Sequence, residues 1–311
     1  MPITEKQREE RKNHLGSSDM PCILGVSPYG NAYDVWLDKT NRLTPEQREK
    51  SWLDAGQLIE PAALRWAENE LGPIRTEQEN GDALFRKAQG FPLGSHADGE
   101  IISNGEPVEA KTGGAVGPIL EPFGEPGTDE LPDRIIIQGH VHMLCWEKEI
   151  CWVPVYLGGK GFFMYHINFD QELMGIIQDK SLEFWEEFVE KDIPPPDVIP
   201  SFAMAKRMKR EPGKTIKIDP VLVVNWLNSK ESLKLAKDIK EGAEAEMLAA
   251  LGDAEGGECD LGILTYLEQC CRTVKARELR DAYPDIYAQF ENVSTFRIAR
   301  LKKPKKKGFP I

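Results

Sequence analysis

The sequence predicts a mixed α/β fold over its first two thirds, because helical and strand patterns alternate along the chain. Apolar residues at helical spacing run through YDVWLDKTNRL and AGQLIEPAALRWAENELG. A third helix, PDRIIIQGHVHMLCW, is expected to begin after Pro132, with Asp133 as its cap. The segments EICWVPVYLG and GFFMYHINFD have strand composition and a glycine-rich connection, which together predict a β-hairpin.

Another hairpin is predicted in GSHADGEIISNGEPVEAKTGG, residues 94–114. Its centre, Asn104-Gly105, has the composition of a two-residue turn. Such a turn pairs Ser103 with Glu106, and each outward step then pairs residues whose numbers keep the same sum. In this register Asp98 lies opposite Lys111.

This hairpin is expected to concentrate charge on one face, because side chains alternate along a strand. The charged face carries Asp98, Glu100, Glu109 and Lys111. The opposite face, which is expected to meet the core, carries Ile101, Val108 and Ala110. Asp98 and Glu109 become diagonal neighbours about 7–8 Å apart, a separation that one bound cation bridges.

The proline cluster DIPPPDVIPS predicts a domain boundary, with one domain over residues 1–198 and an accessory region over residues 199–311. The accessory region is expected to contain a long charged helix, a break at DAEGGE and a short mixed piece that ends in a basic tail. Its apolar helix positions include Leu233, Leu235, Ile239 and Met247. We interpret it as a mainly helical module that contributes to subunit or partner contacts.

Composition limits the function classes further. The net charge of −12 argues against a protein that coats nucleic acid without sequence preference. The basic segments AKRMKREPGKTIK and RIARLKKPKKKGFPI are nevertheless compatible with local contacts to DNA. A basic tail is equally typical of a solvated chain end. No apolar run is long enough to span a membrane, and no signal-peptide pattern opens the sequence, so a cytoplasmic protein is expected. The six cysteines form no CxxC pair, which argues against a zinc ribbon.

Asp98 and the Glu109-x-Lys111 triplet have the layout of a metal-dependent phosphodiesterase. Carboxylates hold one or two divalent ions, which polarise a phosphate and lower the pKa of bound water. A neighbouring lysine orients or deprotonates that water and balances the charge that develops on the phosphate. The triplet alone is weak evidence, because hairpins on protein surfaces often carry the same residue types.

The order of the surrounding motifs is more specific. The chain contains, in sequence, GSSDMPCILGVSPYGNAYDVWLDKT, GQLIEP, GSHADG, VEAKT, GTDELPDRIIIQGHVHM and VPVYLGGKGFFMYHINFD. From about residue 11 to residue 170 it resembles the YqaJ-type viral recombinase family. That family includes alkaline exonucleases similar to phage lambda exonuclease, within the PD-(D/E)xK nuclease superfamily. The resemblance implies a restriction-endonuclease-like core, a mixed β-sheet flanked by helices.

The resemblance also implies roles for individual residues. Asp98, Glu109 and Glu60 match the metal-binding acids, the Ala110 carbonyl joins them, and Lys111 matches the catalytic lysine. Gln138 matches a glutamine that steadies the lysine or the scissile phosphate. Ser18 and Arg11, seven residues apart, match positions that grip the 5′-phosphate of a DNA end.

A function follows from the resemblance as an expectation. It is a Mg²⁺-dependent exonuclease, with Mn²⁺ as a substitute, that degrades linear duplex DNA in the 5′-to-3′ direction and leaves single strand for recombination. A ring-shaped homotrimer and a single-strand annealing protein as partner are also implied. Three alternatives stay open: an endonuclease or nickase of the same fold, a catalytically silent module that binds DNA ends or a partner, and a hydrolase of another substrate.

Several residues also have structural interpretations. Glu60 precedes Pro61 and fits an exposed acid at a helix irregularity. His140 and His142 are two apart, about 200° around a helix, so we expect one exposed and one packed histidine rather than a metal pair. Gln138 and His142 share a helix face, and Glu100 is expected to be an auxiliary or solvent-facing acid.

Overall fold

The computed structural model describes residues 10–45, 51–77, 81, 84–113, 123–292 and 297–301, with the side chains of residues 51–54 left out. The chain divides into two compact units, Met1–Lys214 and Thr215–Ile311. The first unit extends past residue 198 because the following segment bonds back to it. Ser201 N donates to Asp34 Oδ1 at 2.9 Å, and Thr44 N donates to Arg207 O at 2.8 Å.

The helices are α1 (Met20–Ile23), α2 (Ala32–Lys39), α3 (Ser51–Leu71), α4 (Asp133–Trp146), α5 (Gln171–Phe184), α6 (Phe202–Arg207), α7 (Pro220–Leu251), α8 (Ala276–Ala282) and α9 (Pro284–Phe290). The strands are β1 (Ile74–Arg75), β2 (Phe85–Lys87), β3 (Gly94–His96), β4 (Gly99–Ile101), β5 (Pro107–Val108), β6 (Lys111–Gly113), β7 (Ile150–Leu157), β8 (Gly161–Asn168), β9 (Gly256–Cys259) and β10 (Gly262–Thr265). The predicted helix after Pro132 and the predicted β7–β8 hairpin are therefore confirmed. The predicted cap is wrong, because Asp133 is the first residue of α4 and Pro132 occupies the N-cap position without a side-chain hydrogen bond.

A mixed sheet forms the centre of the first unit. β1 pairs antiparallel with β4, β4 pairs antiparallel with β5, and β7 pairs antiparallel with β8. β5 and β6 both pair parallel with β7 and in the same register, Val108 with Trp152 and Lys111 with Val155. They are thus two halves of one strand, which is interrupted at Glu109 and Ala110.

Pro154 explains the interruption. Glu109 N donates to Trp152 O at 2.9 Å, and the next bond of a parallel ladder would run from residue 154 to the Glu109 carbonyl. Proline has no N–H group, so this bond is missing in the middle of the sheet. The interruption therefore coincides with the residues that the sequence marks as the chemical centre.

The hairpin register differs from the prediction. Gly99 pairs with Val108 and Glu100 with Pro107, so the loop has four residues, 102–105, instead of two. Gly105, at φ +72°, donates its N–H to Ile101 O at 2.8 Å and closes this wider turn. A shift of two residues keeps every side chain on its predicted face. Asp98 now lies directly opposite Glu109 in the continued register, closer than the predicted diagonal.

Helices cover both faces of the sheet, which confirms the predicted α/β class. On one face α3 packs against the hairpin, in a buried cluster of Leu64, Ala67, Ile74, Ile101, Val108 and Met164. On the other face α4 packs on β7 and β8 in a cluster that includes Ile135, Met143, Val153, Val155, Tyr165 and Ile167. Gly139 permits this close approach, since a Cβ there would lie 2.4 Å from Ile167 Cδ1.

The second unit contains the long helix α7, which ends at Gly252, and an antiparallel hairpin that pairs Gly262 with Cys259. The predicted long helix and the break after it are confirmed. None of this unit's described residues is buried. The segment STFRI lies only partly within the described residues, and the lysine-rich end of the basic tail lies outside them. No described helix is both long and apolar enough to cross a membrane.

Candidate active site

The interrupted strand brings the predicted acids and lysine together. Asp98 lies between β3 and β4, and its Oδ2 accepts a hydrogen bond of 2.8 Å from the Ala110 amide. Lys111, the first residue of β6, places its Nζ 2.5 Å from Glu109 Oε1. Ala110 thus links the two acids: it follows Glu109 in the chain, and its backbone N–H binds Asp98. The Glu109 amide bonds to β7, so the next amide, that of Ala110, points to the opposite edge of the strand, where Asp98 continues the register of β4.

A residue of α4, His142, also contacts the Glu109 carboxylate. His142 is fully buried, with Nε2 3.1 Å from Glu109 Oε2 and Nδ1 2.9 Å from Ser95 Oγ. An ionised carboxylate only accepts hydrogen bonds, so we assign the ring proton to Nε2 and the role of donor to the Ser95 hydroxyl. The sequence missed this contact to Glu109. The sequence feature that indicates it is the position of His142, one helical turn after Gln138 and on the same helix face as this predicted site residue.

His140 has a structural role, and the prediction of one exposed and one packed histidine is wrong, because both are buried. It is buried, like His142, because α4 packs against the sheet and the start of α5. Its Nδ1 donates to Ile136 O at 2.9 Å, and its Nε2 accepts from Asp170 N at 3.0 Å. Both ring nitrogens are therefore used within the protein, which excludes a metal pair with His142 in this structure.

Glu100 is likewise not a solvent-facing or auxiliary acid, which corrects the prediction. Only 6 % of its surface is exposed. Its carboxylate binds the guanidinium groups of Arg75 and Arg86 and accepts a hydrogen bond of 2.8 Å from Trp146 Nε1. These donors come from strands and a helix distant in sequence, which alternation along the hairpin does not reveal. Glu100 therefore ties β4 to β1, β2 and α4.

The acids differ in their affinity for protons. Burial raises the pKa of Asp98 well above its usual value, and the Glu109 and Glu60 carboxylates raise it further. Burial also acts to raise the pKa of Glu109, but Lys111 and His142 outweigh it and hold this pKa at about 2. Asp98 is consequently the carboxyl that takes up a proton when no other cation is present.

Glu60 lies on α3, which continues through Pro61. It is partly buried rather than exposed, and its pKa is raised by burial and by the Glu109 carboxylate. The predicted acid is therefore within electrostatic reach of the hairpin acids. Among the described residues, however, no three His, Cys, Asp or Glu side chains stand close enough to form a complete metal cage.

The oxygen donors nevertheless fit a hard divalent cation. Gln138 Oε1 is buried without a hydrogen-bond partner, and Glu109 Oε2 lies 3.1 Å from His142 Nε2 without the alignment of a hydrogen bond. Magnesium commonly binds to one or two carboxylates and completes its shell with water and substrate phosphate, so an all-protein cage is not required. Asp98 and Glu109 would hold such an ion, with the Ala110 carbonyl and Glu60 as further oxygen donors.

Arg11 and Ser18 lie in a separate polar cluster that adjoins β3. Ser18 is exposed, whereas the nearby Asp19 pairs with Lys39, whose Nζ lies 2.6 Å from Asp19 Oδ2 and donates to Arg11 O at 2.8 Å. Burial, followed by the Arg11 charge, lowers the pKa of His96 to about 4. His96 precedes Asp98 by two residues, so the cluster approaches the acids along β3.

We expect Asp98→Asn to raise the melting temperature of the metal-free protein at pH 7.5 by roughly 2–5 °C. The raised pKa means that the folded state holds the proton more tightly than the unfolded state, so the Asp98 carboxylate opposes folding at neutral pH. Asparagine keeps the acceptor for the Ala110 amide. The measurement is calorimetry in EDTA, with the exposed Asp253→Asn as control.

The gain should vanish below the usual carboxyl pKa of about 3.9, where Asp98 is protonated in both states. An Asp98→Asn protein that melts at or below the wild-type temperature at pH 7.5 would contradict this account of the acid pair.

A comparison with known proteins indicates the same family as the order of the sequence motifs. Residues 7–149 match the YqaJ-like viral recombinase domain family. Uncharacterized protein YqaJ of Bacillus subtilis (strain 168) is 23 % identical over 305 residues, which cover 94 % of this chain and 92 % of that protein.

Two solved structures are similar to part of the chain. An alkaline exonuclease (LHK-Exo) from Laribacter hongkongensis has a TM-score of 0.45 at 18 % identity, over 61 % of this chain and 94 % of its own. A phage-related exonuclease from Haemophilus somnus 129PT has a TM-score of 0.41 at 12 % identity, over 58 % and 97 %. The comparison that agrees with the motif order is the family match: residues 7–149 are similar to the YqaJ-like viral recombinase domain.

Proposed function

We propose that this protein is a divalent-metal-dependent deoxyribonuclease that degrades linear duplex DNA from an end. One observation carries the proposal: Asp98 and Glu109 meet at a strand interruption, with Lys111 Nζ 2.5 Å from Glu109 Oε1. The similarity of residues 7–149 to the YqaJ-like viral recombinase domain supports it. Mg²⁺ is the proposed ion, with Mn²⁺ as a substitute, because the donors are carboxylate and carbonyl oxygens.

The bound ion would polarise the scissile phosphate and lower the pKa of the attacking water. The chain's own residues do the rest. Lys111 holds a positive charge beside Glu109, from which it orients the water and balances charge on the phosphate in the transition state. His142 contacts Oε2 of the Glu109 carboxylate and thereby orients the other oxygen, Oε1, towards Lys111. Gln138, one helical turn before His142, is proposed to hold the lysine or the scissile phosphate.

We place recognition of the DNA end at Arg11 and Ser18. A guanidinium and a hydroxyl are suitable donors for a terminal 5′-phosphate, and neighbouring His14 is buried with both ring nitrogens unpartnered. A 5′-phosphate anchored there would give 5′-to-3′ polarity. The strand left behind would serve recombination, with a single-strand annealing protein as partner in the host cytoplasm.

A homo-oligomer, in the form of a trimeric ring, is part of the proposal. The second unit supports it, since none of its described residues is buried and α7 exposes Leu233, Leu235 and Ile239. A helix with this much exposed apolar surface gains stability when a subunit or partner covers it.

The first test is cleavage of matched linear and covalently closed duplex DNA, with Mg²⁺ or EDTA. Wild-type protein should degrade only the linear DNA and only with metal. Lys111→Ala should lose at least about a hundredfold in rate, because a transition-state charge contact is removed. The control is Lys160→Ala, an exposed lysine of the β7–β8 turn.

Full activity of Lys111→Ala would refute the assigned chemistry. Cleavage of the closed circle would identify an endonuclease or nickase instead, and no cleavage of either DNA would favour a binding module.

Arg11→Gln tests the end site. Wild-type protein should degrade 5′-phosphorylated linear DNA faster than the same DNA with 5′-hydroxyl ends. The variant should reduce this preference about tenfold or more, because a charge-assisted contact to the phosphate is lost. The exposed Arg277→Gln is the control. An unchanged preference in Arg11→Gln would remove Arg11 from the end site.

A further inference from the structure

Tyr29 is presented to solvent by a fixed loop between α1 and α2. Its side chain is 63 % exposed. The loop is held by hydrogen bonds from Val26 N and Ser27 N to Pro21 O, at 3.0 and 3.1 Å. Tyr29 N donates to Ser27 Oγ at 3.2 Å, and Asn31 caps the next helix with a complete capping box. The exposed ring is therefore not part of a loosely held segment.

Arg134 covers one side of this ring. Its guanidinium carbon lies 5.4 Å from the ring centroid, within the range of a cation–π contact. Arg134 belongs to the first turn of α4, and residues at steps of four share one helix face. Arg134, Gln138 and His142 form such a row, and His142 contacts Glu109. Gln138 and His142 are buried, so Arg134 is the member of this row that lies beside the exposed ring, and α4 connects the surface around Tyr29 with the acids.

The length of α4 between Arg134 and His142 suits a nucleic-acid strand that runs over the surface from Tyr29 to the acids. Each step of four residues advances about 6 Å along the helix axis, so Arg134 lies about 12 Å from His142 in that direction. That interval corresponds to a few nucleotides. Unpaired bases bind to proteins mainly by stacking on aromatic rings, and arginine beside the ring adds cation–π and phosphate contacts.

We infer that Tyr29 is a stacking platform for an unpaired base of the strand that enters the site, and that Arg134 positions the ring. The inference rests on the proposed nuclease function and adds a binding site for bases to it. The exposed side of the ring receives the base, while Arg134 holds the ring from its other side. The site selects unpaired nucleotides over intact duplex, without preference for one base.

The test is binding of a duplex with a short unpaired 5′ tail that carries 2-aminopurine, measured in EDTA so that no cleavage occurs. Stacking quenches this fluorophore. Wild-type protein should quench it, whereas Tyr29→Ala should bind about tenfold more weakly and quench little. Tyr29→Phe keeps the ring and should behave like wild type. Tyr266→Ala, which removes an equally exposed tyrosine of the second unit, should also match wild type.

Wild-type binding and quenching by Tyr29→Ala would overturn the inference, even if the nuclease itself is active. A Tyr29→Phe variant as weak as Tyr29→Ala would also overturn it, because the hydroxyl and not the ring would then make the contact. Lys111→Ala separates the two proposals. It should quench normally without cleaving DNA, so failure of the chemistry and failure of the platform give different results.

Discussion

Two carboxyl groups of like charge are held side by side in this protein, and most of the site's properties follow from that constraint. Asp98 and Glu109 repel each other when both are ionised, and burial strengthens the repulsion. The fold maintains the contact through the backbone. The Ala110 amide binds Asp98. It points away from β7, because amide directions alternate along a strand and the preceding Glu109 amide bonds to Trp152 O. A proline in a central strand is unfavourable for pairing, and here it coincides with the chemical centre.

The surrounding residues shift the pKa values of the two acids in opposite directions. Lys111 and His142 keep Glu109 ionised, whereas burial and the Glu109 and Glu60 carboxylates raise the pKa of Asp98, which therefore holds the proton. A divalent cation would replace that proton and relieve the repulsion. The same arrangement that weakens the folded state without metal would thus create affinity for the proposed ion, which is the usual relation between stability and function at active sites.

Alternation of side chains made the core of the site predictable from the sequence. It placed Asp98, Glu109 and Lys111 on one face, and the error of two residues in the hairpin register did not change that face. The turn itself was not predictable, since the left-handed Gly105 permits a four-residue loop as readily as a two-residue one.

Contacts between distant segments were beyond the sequence pattern. The partners of Glu100 come from β1, β2 and α4, and helical spacing does not reveal that His142 reaches Glu109. The interruption at Pro154 also becomes visible only when β7 is known to pair with β5 and β6. Local patterns therefore predicted which residues share a face, while tertiary packing decided what each of them contacts.

The most direct test of the acid pair is anomalous diffraction from crystals soaked in Mn²⁺. The account predicts an anomalous peak within about 2.0–2.4 Å of a carboxylate oxygen of both Asp98 and Glu109, with water in most remaining positions. It also predicts no such peak in crystals of Asp98→Asn. A fully occupied Mn²⁺ site elsewhere in the chain, with none between Asp98 and Glu109, would contradict the central claim.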